Sequence, residues 1–146
     1  MKLWALAVCS LISVGEASAA PSTVLANLPN TGVNAVRVDA AGNIYIAGFQ
    51  GTASASDTWD AFVAKLSPDG SKVLYSTRFA GAKSDYAVAL EIDSSGGAYI
   101  LGQTLSPDFP TTQGALQTTS PESSTQAFVA KLDAQGKVVY ATLIGG

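Results

Sequence analysis

Residues 61–66 read Ala61-Phe62-Val63-Ala64-Lys65-Leu66, and residues 127–132 read Ala127-Phe128-Val129-Ala130-Lys131-Leu132. The same hexapeptide therefore recurs at a spacing of 66 residues. Each copy is followed by a turn that closes on glycine and then by a Lys-Val-x-Tyr-x-Thr run. Within the hexapeptide, Phe62, Ala64 and Leu66 point one way along an extended chain, and Ala61 and Val63 the other. Both sides are apolar. A sheet with one wet face would alternate apolar with polar residues, so these strands are expected to be covered on both faces.

The repeat extends outward from this segment. Val36-Arg37-Val38-Asp39 matches Leu90-Glu91-Ile92-Asp93, and Ile44-Tyr45-Ile46-Ala47-Gly48 matches Ala98-Tyr99-Ile100-Leu101-Gly102, both at an offset of 54. The first unit is predicted to hold strands at 35–39, 44–49, 61–66 and 72–79. The second is predicted to hold them at 88–93, 98–104, 127–132 and 137–144. The change of offset from 54 to 66 marks a 12-residue insertion between the second and third strands of the second unit. Turns at 39–42, 67–70, 93–96 and 133–136 each begin with Asp or Ser and end with Gly. That pattern predicts a type I turn whose first side chain bonds the turn's own N–H groups. No helical period occurs after residue 34.

The N-terminus has a different composition. Lys2, the apolar run 3–14 and the Ala17-Ser18-Ala19 site read as a secretory signal peptide over 1–19. The run is shorter than the roughly 20 residues of a membrane span. Residues 20–33 read as a linker. Cys9 is the only cysteine and lies in the signal, and the chain has no histidine. A mature chain without either residue has no disulfide, no Cys/His zinc site and no His-based triad. The net charge is −3, with no basic run, so nucleic acid is not an expected partner.

At these motifs the chain resembles the secreted bacterial β-propeller repeat family. Its units read approximately D-A-F-V-x-K-L, Y-S-T-Y-x-G-G and D-x-x-G-N-x-Y-V-x-G. The matching segments are 60–66, 75–81 and 39–48, and again 127–132, 140–146 and 93–102. The segment Ser106-Pro107-Asp108-Phe109-Pro110-Thr111-Thr112 is also typical of such repeats, and the resemblance covers 34–146. Gln126 stands where the family has Asp. The resemblance implies an exported, all-β protein of propeller repeats. Two four-stranded antiparallel blades are expected, at 34–81 and 86–146, in an incomplete or oligomer-completed propeller. It implies no single activity.

The carboxylates divide into two groups. Asp39, Asp69, Asp93 and Asp133 lie in tight turns and read as turn-forming residues. Asp57, Asp85 and Asp108 lie in the longer connections, with Trp59 and Phe109 beside them. These five are the candidate ligand-binding residues, expected together at the end of the blades opposite the tight turns. Lys65 and Lys131 read as solvated rim groups, and the repeated tyrosines as packing between blades. No catalytic residue, metal ligand or cofactor is assigned. The expected function is a non-catalytic binding or structural surface. Alternatives are a lectin-like module, with Trp59 or Phe109 stacked on a sugar, and a fragment of a glycosidase or lyase. Two blades fall short of the roughly 4 to 8 of a closed propeller. Two broad apolar outer faces are therefore expected, covered by further blades from a longer chain or from copies of this one.

Overall fold

A computed structural model describes residues 28–51, 58–119 and 124–145. The alternating runs form eight strands: β1 (Thr31–Val38), β2 (Ile44–Gly51), β3 (Trp59–Leu66), β4 (Val73–Phe79), β5 (Asp85–Ile92), β6 (Ala98–Thr104), β7 (Gln126–Leu132) and β8 (Val138–Ile144). They make two antiparallel sheets of four, ordered β1-β2-β3-β4 (sheet 1) and β5-β6-β7-β8 (sheet 2). The described residues contain no helix. The signal-peptide reading of 1–19 falls outside the described residues.

The first and third strands of each unit begin earlier than expected, β1 and β5 by the most. In β1 the register shifts between Val33 and Ala35, and in β5 between Ala87 and Ala89. Each shift leaves one extra residue, Asn34 or Val88, and the pairing resumes beyond it. Thr31, Gly32 and Val33, read as the end of a linker, therefore pair with Gln50, Phe49 and Gly48.

The tight turns follow their sequence pattern. Gly42, Gly70, Gly96 and Gly136 have φ of 84°, 70°, 83° and 82°, a region L-residues enter at a cost. The Asp93 Oδ1 accepts from the N–H groups of Ser95 (3.0 Å) and Gly97 (2.8 Å). Asp39 and Asp133 do the same in their own turns. The second turn of sheet 1 carries the extra Ser71. There the Ser67 hydroxyl accepts from Lys72 N–H and donates to Asp69. Hydrogen bonding holds three of these carboxyls at about 2: from the Asn43 side chain to Asp39, from the Ser67 hydroxyl to Asp69 and from the Ser95 hydroxyl to Asp93.

The main core lies between the sheets. Tyr45, Ala47, Ala61, Val63 and Phe79 of sheet 1 meet Leu90, Ile100, Phe128, Ala130, Leu132 and Leu143 of sheet 2. A second cluster, Ile46, Phe62, Ala64 and Leu66, lies on the opposite face of sheet 1. β3 is thus buried on both faces, as its sequence requires. The expectation of two bare outer faces needs correction on this side. Ile46, Phe62, Ala64 and Leu66 are buried, with Leu28 packed on them. Leu28 belongs to the segment read as linker, and its side chain offers the apolar contact that the bare face lacked. Val36 and Val38 of β1 remain exposed there. The outward face of sheet 2 does expose Val88 and Leu101.

The insertion in the second unit turns back along β8. Thr112 N–H donates to the Ala141 carbonyl (3.0 Å), and Ala141 N–H donates to Thr112 Oγ1 (3.1 Å). Leu143 N–H donates to the Gln117 carbonyl (3.1 Å). An outer strand with unpaired N–H groups is a template for unwanted pairing, and this segment covers it.

Candidate functional site

Four of the five candidate residues fall within the described structure, at the end of the sheets away from the tight turns. Asp57 lies outside the described residues. Three of the other four, Trp59, Asp85 and Asp108, bond to the connection between β4 and β5. Three consecutive N–H groups of that connection are each met by a side chain. Gly81 donates to Asp85 Oδ2 (3.0 Å), Ala82 to Asp108 Oδ1 (2.8 Å) and Lys83 to Ser106 Oγ (3.0 Å). Ser106 Oγ in turn donates to Asp85 Oδ2 (3.1 Å), and Ser106 N–H donates to Thr104 Oγ1 (2.9 Å). Asp85, Ser106 and Asp108 thereby clamp the passage from one sheet to the next.

The burial of these residues differs. Asp85 is fully buried, and its Oδ1 has no hydrogen-bond partner among the described residues. Burial pushes its carboxyl above the usual carboxylate range, against the hydrogen bonds from Thr104, Ser106 and Gly81. Asp108 is exposed. Phe109 is buried in the core, 4.4 Å from Phe128 and 6.0 Å from Phe79 in stacked geometry. The ring is almost wholly covered, which leaves no face for a sugar. Trp59 is half-buried, edge-on to Phe49 at 5.2 Å, and its backbone N–H donates to Ser84 Oγ. The sequence reading missed Thr104 and Ser106. A signal was available in Ser106-Pro107-Asp108, where two short acceptors stand two residues apart.

The tight-turn end holds a second arrangement, repeated in both sheets. Lys65 Nζ sits 3.4 Å from Asp39 Oδ2 and 4.7 Å above the Tyr45 ring. Lys131 Nζ sits 3.4 Å from Asp93 Oδ2, 2.6 Å from the Tyr99 hydroxyl and 4.6 Å above its ring. The two lysines are therefore ion-paired and partly buried, not the solvated rim groups expected. A groove of about 490 Å³ opens between the first turns of the two sheets, lined by Asp39, Lys65, Asp93, Ser95 and Gly96 among others. Its charged side chains are spent on one another and on turn N–H groups. Among the described residues no three His, Cys, Asp or Glu side chains converge as metal ligands. Comparison with known protein families finds no match, and comparison with curated proteins finds none either.

Asp85 gives a test with a definite sign. Its folded-state carboxyl is raised, so the folded chain holds that proton more tightly than the unfolded chain. Stability from this group falls as pH rises from the unfolded value, about 3.9, through the folded one. Asp39, Asp69 and Asp93 act oppositely: lowered to about 2, they add stability above the unfolded value and lose it as pH falls toward 2. Asn at position 85 does not titrate and keeps an acceptor for Gly81 and Ser106. Asp85→Asn is expected to gain stability relative to the wild type between pH 4 and pH 8, read from urea midpoints. A relative loss over that range would contradict the raised carboxyl.

Proposed function

We propose that this chain is an exported, non-catalytic β-propeller repeat protein that serves as a binding or structural surface, each four-stranded sheet being one blade. The observation that carries this reading is the joint between the sheets. The two sheets pack face to face through small and apolar side chains, with β5 lying against β1, β2 and β3, and side chains of one sheet reach turn carbonyls of the next. The Tyr45 hydroxyl lies 3.3 Å from the Gly96 carbonyl, and Thr77 Oγ1 donates to the Gly136 carbonyl (2.5 Å). Such neighbour-to-neighbour packing is how radially repeated sheets are built. Export rests on the signal-like N-terminus.

The candidate carboxylates support the non-catalytic part. A glycosidase holds two carboxyls about 5 to 9.5 Å apart across the bond it cleaves. Here Asp85 is shut inside the protein, and both Asp85 and Asp108 accept backbone N–H groups. The partners of this reading are further blades, from a longer chain or from copies of this one. A glycan or protein at the loop end would meet Trp59.

The experiment is a turnover screen of the purified chain on chromogenic glycosides and polysaccharides, run beside a glycan array. No turnover is expected, and no array signal that Trp59→Ala removes. Turnover lost in Asp108→Asn would overturn the non-catalytic reading. An array signal lost in Trp59→Ala would replace it with the lectin-like one.

A further inference from the structure

The joint between the sheets is heterologous: one face of sheet 1 meets the opposite kind of face on sheet 2. The face that sheet 1 uses is repeated on the outer side of sheet 2. Tyr99 stands for Tyr45, Leu101 for Ala47, Val129 for Val63 and Tyr140 for Tyr75, at the offsets that relate the two units. Inside the joint Tyr45 and Tyr75 are engaged. Tyr45 reaches the Gly96 carbonyl, and the Tyr75 ring fills the space over Gly136, where a Cβ would lie 2.4 Å from it. Their counterparts are not engaged in this way. Tyr140 is 37% exposed and Leu101 47%. The Tyr99 hydroxyl accepts from Lys131, and its own proton has no acceptor among the described residues. Two shallow grooves of about 170 and 120 Å³ flank Leu101 on this face.

The matching receiver lies on the outer side of sheet 1. Gly42 and Gly70 occupy the turn positions of Gly96 and Gly136, with the same left-handed φ. We infer that the outer face of sheet 2 docks on the outer face of sheet 1 of a second copy of this chain, extending the internal joint between molecules. Charge selects a copy as the occupant. Arg37 and Glu91 hold the same repeat position with opposite signs, and they pair across the internal joint at 2.5 Å. Head-to-tail docking sets Glu91 of one copy beside Arg37 of the next, so the signs alternate at every joint. A partner built on the second unit alone would set Glu against Glu. A heterologous contact of this kind closes into a ring or runs on as a filament. Docking displaces Leu28 from Ile46, Phe62, Ala64 and Leu66, the positions equivalent to those that receive sheet 1 inside the chain.

The inference rests on the propeller-repeat reading, and the experiment separates the two. The purified chain is examined by sedimentation velocity over a wide concentration range, with a thermal melt on every variant. A closed assembly of two to four copies is expected. Leu101→Asp should reduce it to monomer while the melt survives; Val88→Asp, on the same exposed face, serves if Leu101→Asp does not fold. Glu91→Arg should weaken assembly, and the double variant Arg37→Glu, Glu91→Arg should restore it. A wild-type monomer at every concentration would overturn the inference, as would assembly indifferent to both Asp variants. Either result without turnover leaves the propeller-repeat reading standing with its further blades in one longer chain, whereas turnover lost in Asp108→Asn overturns the non-catalytic part of that reading.

Discussion

Phe128→Ala is expected to cost about 3–5 kcal/mol, the range for deleting a large buried aromatic. The domain as a whole is expected to be stable by only about 5–15 kcal/mol. Phe128 has no exposed surface, stacks on Phe109 at 4.4 Å and lies 5.9 Å from Phe79. It therefore joins three segments: the insertion through Phe109, sheet 1 through Phe79 and its own sheet. The cavity would open against stacked rings and glycine backbone. Gly102 lies so close that a Cβ on it would come 2.2 Å from the ring. Collapse is limited there, so the cavity contribution stays large. Phe62 is the repeat counterpart, equally buried, with Leu28 as its neighbour from outside the sheet. Leu28 lies outside the strand ladder, so the site can relax more readily and Phe62→Ala should cost less. Urea unfolding of the two variants checks the order. Equal losses would mean that the insertion contributes little to holding Phe128.

The fold was largely legible because its determinants are local. A hexapeptide apolar at both parities announces a strand covered twice, and Asp-x-x-Gly announces the turn that follows or precedes it. The site was less legible, for reasons particular residues make clear. The bulge at Val88 breaks the alternation of β5. A strict period of two back from the buried Leu90 would turn Val88 inward and Ala87 outward. The structure instead buries Asp85, Ala87 and Leu90 and exposes Val88. Asp85 thus read as a loop carboxylate when it is a buried strand residue. Phe109 sits between Pro107 and Pro110 in a segment with no period, and nothing local distinguishes a ring stacked in the core from one offered to a ligand. The cover over β8 depends on Thr112 and Gln117, polar residues whose partners are 29 and 26 residues away. Lys65 and Lys131 repeat in register, which correctly signals a common role, but the carboxylate each one meets is 26 and 38 residues distant in sequence.

Gly48→Ala is expected to be at least as damaging as many core truncations, although it adds one methyl group. Gly48 pairs with Val33 at the bulge of β1, where the two backbones are pressed together. A Cβ on Gly48 would stand 1.9 Å from the Gly32 carbonyl oxygen and 3.0 Å from the Val33 Cα. Backbone atoms held in a ladder cannot turn aside as a side-chain tip can. Relief requires β1 to move away from β2, with loss of the pairs from Thr31 to Val33. Overpacking typically costs about 1–3 kcal/mol, and a clash with backbone belongs at the top of that range or beyond. Gly114 is the control. Its φ is +82°, and nothing lies within 4 Å of a Cβ placed on it. Gly114→Ala therefore meets only the left-handed backbone penalty, about 1–2 kcal/mol. Urea unfolding should place Gly48→Ala well below Gly114→Ala in stability. Amide exchange should show the loss of protection concentrated at the start of β1. If the two variants are equally stable, β1 is not held against β2 at the bulge, and Thr31–Val33 belong to the linker after all.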